Sequence, residues 1–336
     1  MNIFVAVDSS SENFKSFFDS EAVLRIKNSG KSYFADHRLS EEELASLIDG
    51  YDACITCWGS PPFSEAVLKN APSLKYIVHT CGSVSSIVNG AVYDRGITVL
   101  SGNDFFAHSV AEGVIAYILS ALRYIPRISE NLRVNGKWDR FNLTNNYARS
   151  LLGKTVGLIS FGAITKYLIP MLAAFDCKIK LFSRQTIEQG YLSKYNVVQT
   201  DIDSIFKTCD IVSIHTALNE HTKNMITKEQ LSLLKDGAVF VNTARGGVVC
   251  EDDLISEILT GRISAVLDVY HREPLEASSP LIGRDNVFLM PHMAGPTIDL
   301  RKKITHALLD SLERCEKGEK SPYEISRKKA SEMTDK

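Results

Sequence analysis

Short apolar runs of strand length alternate with helix-period segments along most of this chain, and no other feature restricts its fold as tightly. NIFVAVD, SYFAD, YDACITCW, LKYIVHT and ITVLSG form a first series of strand candidates. Between them lie helical patterns such as SEEELASLI, which opens on a capping box of Ser40 and Glu43. A second series starts at TVGLISF and continues through KIKLF, DIVSIHT, AVFVNTA, ISAVLDVY and NVFLMPH, with helices such as DDLISEIL between. Strands separated by helices run parallel, because a crossover has room for the helix and a hairpin does not. The expected fold class is α/β, with two doubly wound parallel-sheet domains. A length of 336 residues also exceeds one typical core.

The domain boundaries follow from the order of the segments. The apolar stretch Val110 to Ile125 reads as one helix, and the polar NGKWDRFNLTNNYARS separates it from the second series. The last helical stretch, Asp299 to Cys315, brings no strand and is expected to pack back on the first domain. Residues 1–102 with 294–336 are thus expected to form one domain, and 103–293 the other. The tail KKASEMTDK is charged and aperiodic, so its end is expected to fray.

Composition removes several functions. A net charge of −2 creates no field for a polyanion, and no Lys/Arg stripe recurs along a helical face, so nucleic acid is not an expected partner. The N-terminal MNIFVAVDSS has no basic region ahead of its apolar run and reads as a strand rather than a signal peptide. No apolar run reads as long enough to span a bilayer, and no membrane is expected. Seven scattered cysteines, an odd number, fit a reducing compartment, the cytoplasm. Cys54 and Cys57 form a C-x-x-C, yet in a strand residues three apart point to opposite faces, so the two are not expected to share a disulfide or a metal. The other cysteines read as packing, and no metal site is expected.

TVGLISFGAITKYL, Thr155 to Leu168, opens the second series like a dinucleotide-binding turn short of two glycines. The three glycines of such a turn permit the tight bend, the backbone approach to the pyrophosphate, and close packing of helix on strand. Ser160, Gly162 and Thr165 occupy those places. Gly162, followed by Ala163 and Ile164 at the helix start, keeps the approach to a phosphate open. A plain strand–helix turn is the alternative. The next strand ends in Ser183 and Arg184, with Ser183 21 positions after Gly162, where an acid would bond the ribose hydroxyls of NAD. A hydroxyl and a cation suit the 2′-phosphate of NADP, and a solvated surface arginine is the plainer reading. NAD or NADP is expected, with NADP favoured.

Three later strand ends carry Arg245, Glu273 and His292, at the edge where open α/β sheets bind ligands. Taken singly they read as a surface cation, a solvated loop acid and a histidine near a turn. Taken together, VNTARGGVVCEDDL, LDVYHREPL and NVFLMPHMAGPT are similar to the three signature segments of the D-2-hydroxyacid dehydrogenase family. LKYIVHT with its glycine-bearing loop, AEGVIAYIL and NGKW extend the resemblance over nearly the whole chain.

The resemblance implies a flavodoxin-like substrate domain and a Rossmann dinucleotide-binding domain. It further implies hydride transfer between a nicotinamide cofactor and a small D-2-hydroxy acid or 2-oxo acid, in a cleft between the domains. Arg245 would anchor the carboxylate and ketone oxygen, His292 would give and take the proton, and Glu273 would orient the imidazole and favour its protonated form. Family members that oxidise formate carry glutamine at the place of Glu273, which argues against that reaction. By the same resemblance His215, Thr216, Thr243 and Ala244 line the cofactor, with Ala217 replacing the usual proline. Asp268 would partner the nicotinamide carboxamide, its plainer reading being a cap on nearby amides. Cys81, Gly82 and Ser83 would offer amides to the substrate carboxylate.

The loop HTCGSVSSIV departs from the family's G-V-G-x-D-N, with Ser85 and Ser86 where relatives carry Asp-Asn. His79 beside it reads either as a substrate contact or as a packed strand-end residue, and the substrate's side chain stays open. A reading from another class is a catalytically silent dinucleotide sensor or co-regulator acting through protein contacts, motivated by the missing glycines. FFAHSVAEGVIAYILSALRYI is more apolar than a one-faced helix requires, so a homodimer is expected.

Overall fold

A computed structural model describes residues 1–138 and 148–334; residues 139–147 of the polar NGKWDRFNLTNNYARS stretch, and the last two residues of the tail, lie outside the description. The chain divides into two compact units, Met1–Ala107 with Pro296–Lys336, and His108–Gly295.

In the first unit β1 (Ile3–Val5), β2 (Ser32–Phe34), β3 (Ala53–Thr56), β4 (Tyr76–His79) and β5 (Thr98–Ser101) form a parallel sheet in the order β2-β1-β3-β4-β5. This is the flavodoxin-like order. All four residues of β3 are buried, as expected of a strand covered on both faces. Cys54 accordingly packs with Phe4 and Ile77 on one face, and Cys57 with Val5 and Val78 on the other. The helix Ile298–Glu316 lays Ile304, Leu308 and Leu312 on that second face. Ser40 and Glu43 make both bonds of the capping box.

The tail is ordered further than its sequence suggests. Ser101 N–H donates to Tyr323 O and Ile325 N–H to Val99 O, so the chain pairs with the edge of β5. A short helix, Arg327–Ser331, follows with Ser326 as its cap and Ala330 buried, and Met333 packs on the core. An exposed strand edge with unpaired backbone groups favours such a cover, which no periodicity in the tail announces.

The second unit contains β6 (Thr155–Ile159), β7 (Lys178–Phe182), β8 (Val197–Gln199), β9 (Ile211–Ile214), β10 (Val239–Asn242), β11 (Ser264–Leu267) and β12 (Val287–Leu289). Their order is β12-β11-β10-β9-β6-β7-β8, all parallel. The order reverses between β6 and β9, the switch point of a Rossmann sheet. β8, a three-residue edge strand, is too short to stand out in the sequence.

The apolar helix runs from Asn103 to Arg123, ends at Tyr124 in a left-handed conformation (φ 54°), and a separate helix Ile125–Arg133 follows. Contrary to the expectation from the sequence, this helix is long and apolar enough to cross a membrane by length and composition alone. Here it lays Ala111, Val114, Ile118 and Leu122 into the core with Leu158, Ile169 and Val241.

Gly157, in β6, is pressed by the helix Ile202–Thr208 and the residue after it: a Cβ there would overlap Ile205 and lie 2.9 Å from Cys209 Sγ. Gly157→Ala is expected to lower stability by about 1–3 kcal/mol through overpacking, measured as an earlier midpoint in urea unfolding.

Candidate active site

In the second unit every position expected to meet cofactor or reacting atoms falls at the carboxyl edge of a strand. Backbone bonds continue just past the strands and gather these ends into one rim. Ser160 N–H reaches Phe182 O (2.8 Å), His215 N–H Ile159 O (3.0 Å), Asp268 N–H Asn242 O (3.0 Å) and Met290 N–H Leu267 O (2.9 Å).

The turn after β6 survives the loss of two glycines by two local adjustments. Ser160 adopts φ 90°, a conformation glycine would take without strain. Thr165, fully buried where the third glycine would stand, donates its hydroxyl to Ser160 O at 2.8 Å and closes the turn. Gly162 precedes the helix Ala163–Ala173, whose first amides have no side-chain cap. A Cβ at Gly162 would meet nothing within 4 Å. Open space before uncapped amides at the positive end of an eleven-residue helix fits a pyrophosphate.

The loop after β7 is pinned from β8. The Gln199 side chain donates to Ser183 O (3.2 Å) and Gln185 O (3.0 Å), and the Ser183 hydroxyl accepts from Gln185 N–H (3.1 Å). Arg184 is exposed and has no ion-pair partner among the described residues. After β9, His215 is buried and both of its ring nitrogens lack a partner among the described residues, as does Thr243 Oγ1 after β10. Burial pushes the His215 imidazole down to about 4, so the ring is neutral near pH 7. Orphaned polar groups on a ligand-binding edge are what a bound molecule can complete. Thr216 Oγ1 bonds Ile159 O at 3.4 Å.

Arg245 is set by its neighbours. Asn242, buried at the end of β10, accepts from Ala244 N–H (3.1 Å) and donates to Arg245 O (3.1 Å). A Cβ on Gly246 would overlap the backbone of Tyr270 and His271, so only glycine lets the Arg245 loop meet the loop that carries Glu273. Burial lowers the pKa of the Arg245 guanidinium, and the nearby charge of Glu273 raises it in part. Glu273 Oε1 accepts from Tyr270 N–H (3.1 Å), and its Oε2 lies 2.8 Å from His292 Nδ1. With Nδ1 directed at the carboxylate, Nε2 is left for chemistry.

His292 stands at φ 56°, left-handed for a residue that is not glycine. Asp268 fixes the chain just after it. Its Oδ1 accepts from Met293 N–H (2.7 Å) and the Tyr117 hydroxyl (3.2 Å), and its Oδ2 from Ala294 N–H (2.9 Å). Asp268 therefore does cap nearby amides. Asn242, Tyr117 and Tyr270, whose hydroxyl lies 3.0 and 2.9 Å from the Leu267 and Met290 carbonyls, do not stand out in the sequence as site residues. Asn242 leaves a signal as the polar end of an apolar strand; Tyr117 leaves none inside an apolar helix.

In the first unit Cys81, Gly82 and Ser83 follow the carboxyl end of β4. The Ser101 hydroxyl bonds the carbonyls of Cys81 and Gly82, both at 2.8 Å, and the Phe106 ring would be 3.2 Å from a Cβ on Gly82. Ser83 and Ser85 both donate to Thr334 O. His79 is buried with Nδ1 3.0 Å from Thr56 Oγ1, as a packed strand-end residue.

A Rossmann sheet whose rim carries a half-buried arginine and a carboxylate-held histidine defines a nicotinamide-dependent oxidoreductase. A family model described as D-isomer specific 2-hydroxyacid dehydrogenase, NAD binding domain, matches residues 115–294. The chain is 30% identical over 297 residues to a hydroxypyruvate reductase of Thermotoga maritima, covering 88% of this chain and 94% of that protein. It is 33% identical over 290 residues to a glyoxylate reductase of Thermofilum pendens, covering 86% and 85%. An acyclic imino acid reductase solved in complex with NADPH and D-Arg is similar at a TM-score of 0.78 and 25% identity, over 97% of this chain and 100% of that one. The chain belongs to the D-isomer specific 2-hydroxyacid dehydrogenase family. These relatives are named as enzymes and give no support to the co-regulator reading.

The folded pKa of His215, about 4, lies below its ordinary value of 6.5, so the unfolded chain takes up the proton first as pH falls. Stability from this residue is full above pH 6.5 and is lost, by about 3 kcal/mol, as pH drops toward 4. Urea unfolding at stepped pH is expected to show this slope, and His215→Leu to flatten it.

Proposed function

We propose that this enzyme reduces small 2-oxo acids to D-2-hydroxy acids, and runs the reverse reaction, with NADPH as its preferred reductant. The observation that carries the reading is the Arg245 and Glu273–His292 constellation at adjoining strand ends. When bound, the nicotinamide supplies or receives the hydride. Arg245, its backbone held by Asn242 and its side chain half-buried, pairs its planar guanidinium with the substrate carboxylate and polarises the ketone oxygen. His292 holds a proton at Nε2 for the oxygen as charge develops there, and takes one back in the oxidation direction. Glu273, fixed by Tyr270 N–H, keeps the imidazole turned so that Nε2 faces the reacting atoms. Cys81, Gly82 and Ser83 receive the carboxylate on their amides.

Support for NADPH comes from the loop after β7, where the Ser183 hydroxyl and the exposed Arg184 stand in place of an acid. The similar imino acid reductase carries NADPH. Glyoxylate and hydroxypyruvate, the substrates in the names of two relatives, are the first compounds to try. The same reading includes a homodimer. The helix Ile125–Arg133 presents Ile125, Ile128 and Leu132 on one face, all exposed. A cytoplasmic location belongs to it as well, resting on the scattered cysteines.

His292→Ala is expected to lower kcat about 10²–10⁴-fold, and Arg245→Ala to lower kcat/KM by at least about 10²-fold, in assays that follow oxidation of the reduced cofactor. Intact turnover in both variants would refute the roles assigned to these two side chains. Fluorescence titration is expected to show tighter binding of NADPH than NADH, with Arg184→Ala cutting the preference about tenfold or more. A preference for NADH in the unaltered enzyme would overturn the cofactor reading.

A further inference from the structure

Cys57 and Cys81 bring two thiols together at the carboxyl edge of the first sheet. Cys57 follows β3 and Cys81 lies two residues past β4, its parallel neighbour. Their sulfurs are 3.4 Å apart, and both side chains are buried. The backbone is fixed on each side of this contact. Cys57 N–H donates to Ser60 Oγ at 3.0 Å, and the Ser60 hydroxyl to Ala6 O at 2.5 Å. On the other strand the Ser101 hydroxyl holds the Cys81 and Gly82 carbonyls.

The two thiols are not equivalent. The hydrogen bond between the two sulfurs lowers the pKa of Cys57 against the opposing effect of its burial, and the charge of Arg301 adds a smaller push in the same direction. Burial raises the pKa of Cys81. Arg301 is held 5.3 Å over the Trp58 ring, next to Cys57 in sequence, and Trp58 is itself 39% exposed. A thiol of lowered pKa in contact with a second thiol, with a guanidinium nearby, sets an attacking and a resolving sulfur side by side.

We propose that Cys57 and Cys81 are a redox modification site, forming a reversible disulfide that displaces the substrate loop and switches the enzyme off. The oxidant is a small hydroperoxide. The Cys57 thiolate sulfur attacks one peroxide oxygen, the O–O bond breaks, and the leaving oxygen takes up a proton to depart as water, or as an alcohol from an alkyl hydroperoxide, leaving a sulfenic acid. The Cys81 sulfur then attacks the sulfenic sulfur, the S–O bond breaks, and the hydroxide leaves with the Cys81 proton as water. Two thiols are oxidised by two electrons in all, and the peroxide is reduced by the same two.

The bond must draw sulfurs now 3.4 Å apart to about 2 Å. Ser60 ties Cys57 to Ala6, just past β1, and Ser101 holds the Cys81 and Gly82 carbonyls, so the shift strains both anchors and reaches Gly82 and Ser83 through the Cys81 side. A displacement of about 1 Å in a positioning group can cost about 10²-fold in rate. The effect on turnover rests on the proposed role of this loop; formation of the bond does not.

The test treats the reduced full chain with hydrogen peroxide and reads intact mass, a non-reduced peptide map and turnover. A loss of about 2 Da, rather than the gain of about 16 Da per sulfenic acid, is expected. The map should link the peptides of Cys57 and Cys81, with kcat/KM down about 10²-fold and recovered in dithiothreitol. Cys57→Ala should form no such link and keep its own untreated rate. Absence of the linked peptide overturns the site. A linked enzyme that turns over 2-oxo acids at the untreated rate overturns the switch. Should the untreated enzyme reduce no 2-oxo acid, the proposed function fails separately. Hydrogen exchange at the Cys81–Val84 amides then decides, unchanged exchange after linkage overturning the displacement.

Discussion

The geometry of the candidate catalytic rim depends on one buried carboxylate. Asp268 leaves the end of β11 almost fully enclosed and accepts from two successive amides, Met293 and Ala294, and from the Tyr117 hydroxyl. A carboxylate in that position without donors would carry a large desolvation cost, so the residues that satisfy it are held as firmly as it is. The residue just before those amides is His292. Its left-handed backbone, unfavourable for a side chain of this size, is maintained by the anchor beyond it, and the ring is thereby brought to Glu273. An acid expected to face the cofactor thus shapes the neighbouring loop instead, or as well.

The cofactor turn shows how a degraded motif can retain its shape. Each missing glycine answered a steric demand, and each replacement meets that demand differently. Ser160 takes the unusual φ itself, and Thr165 converts the space its side chain needs into a hydrogen bond to the same turn. The one position where a side chain would stand before the helix amides remains glycine. Thr165 fits because its hydroxyl is bonded internally and Ser160 because it takes the left-handed φ, while glycine remains where bulk would stand before the uncapped helix amides.

Much of this was legible from residue order. Apolar runs with helices between them gave both parallel sheets, since each strand is covered on two faces and must be apolar throughout. The run of Arg245, Glu273 and His292 at strand ends pointed to the rim on which the structure places them. Illegible features were those in which the signal depends on a distant partner. β8 has three residues and exists through its pairing with β7. The aperiodic tail takes its order from the free edge of β5. Tyr117 looks like core filling in a helix until Asp268, 151 residues away, meets its hydroxyl.

The sequence by itself determined the two-sheet α/β architecture, the capping box of Ser40 and Glu43, and the candidate chemistry, because periodicity, capping and residue type act over a few neighbouring positions. It also determined that Cys54 and Cys57 point to opposite faces, a consequence of the two-residue period of a strand. Only the tertiary structure decided that Cys57 instead meets Cys81, that Gly246 must be glycine to let two loops touch, and that burial leaves the His215 ring neutral. These depend on which strands become neighbours and on how completely water is excluded, and neither quantity is encoded within reach of any one segment.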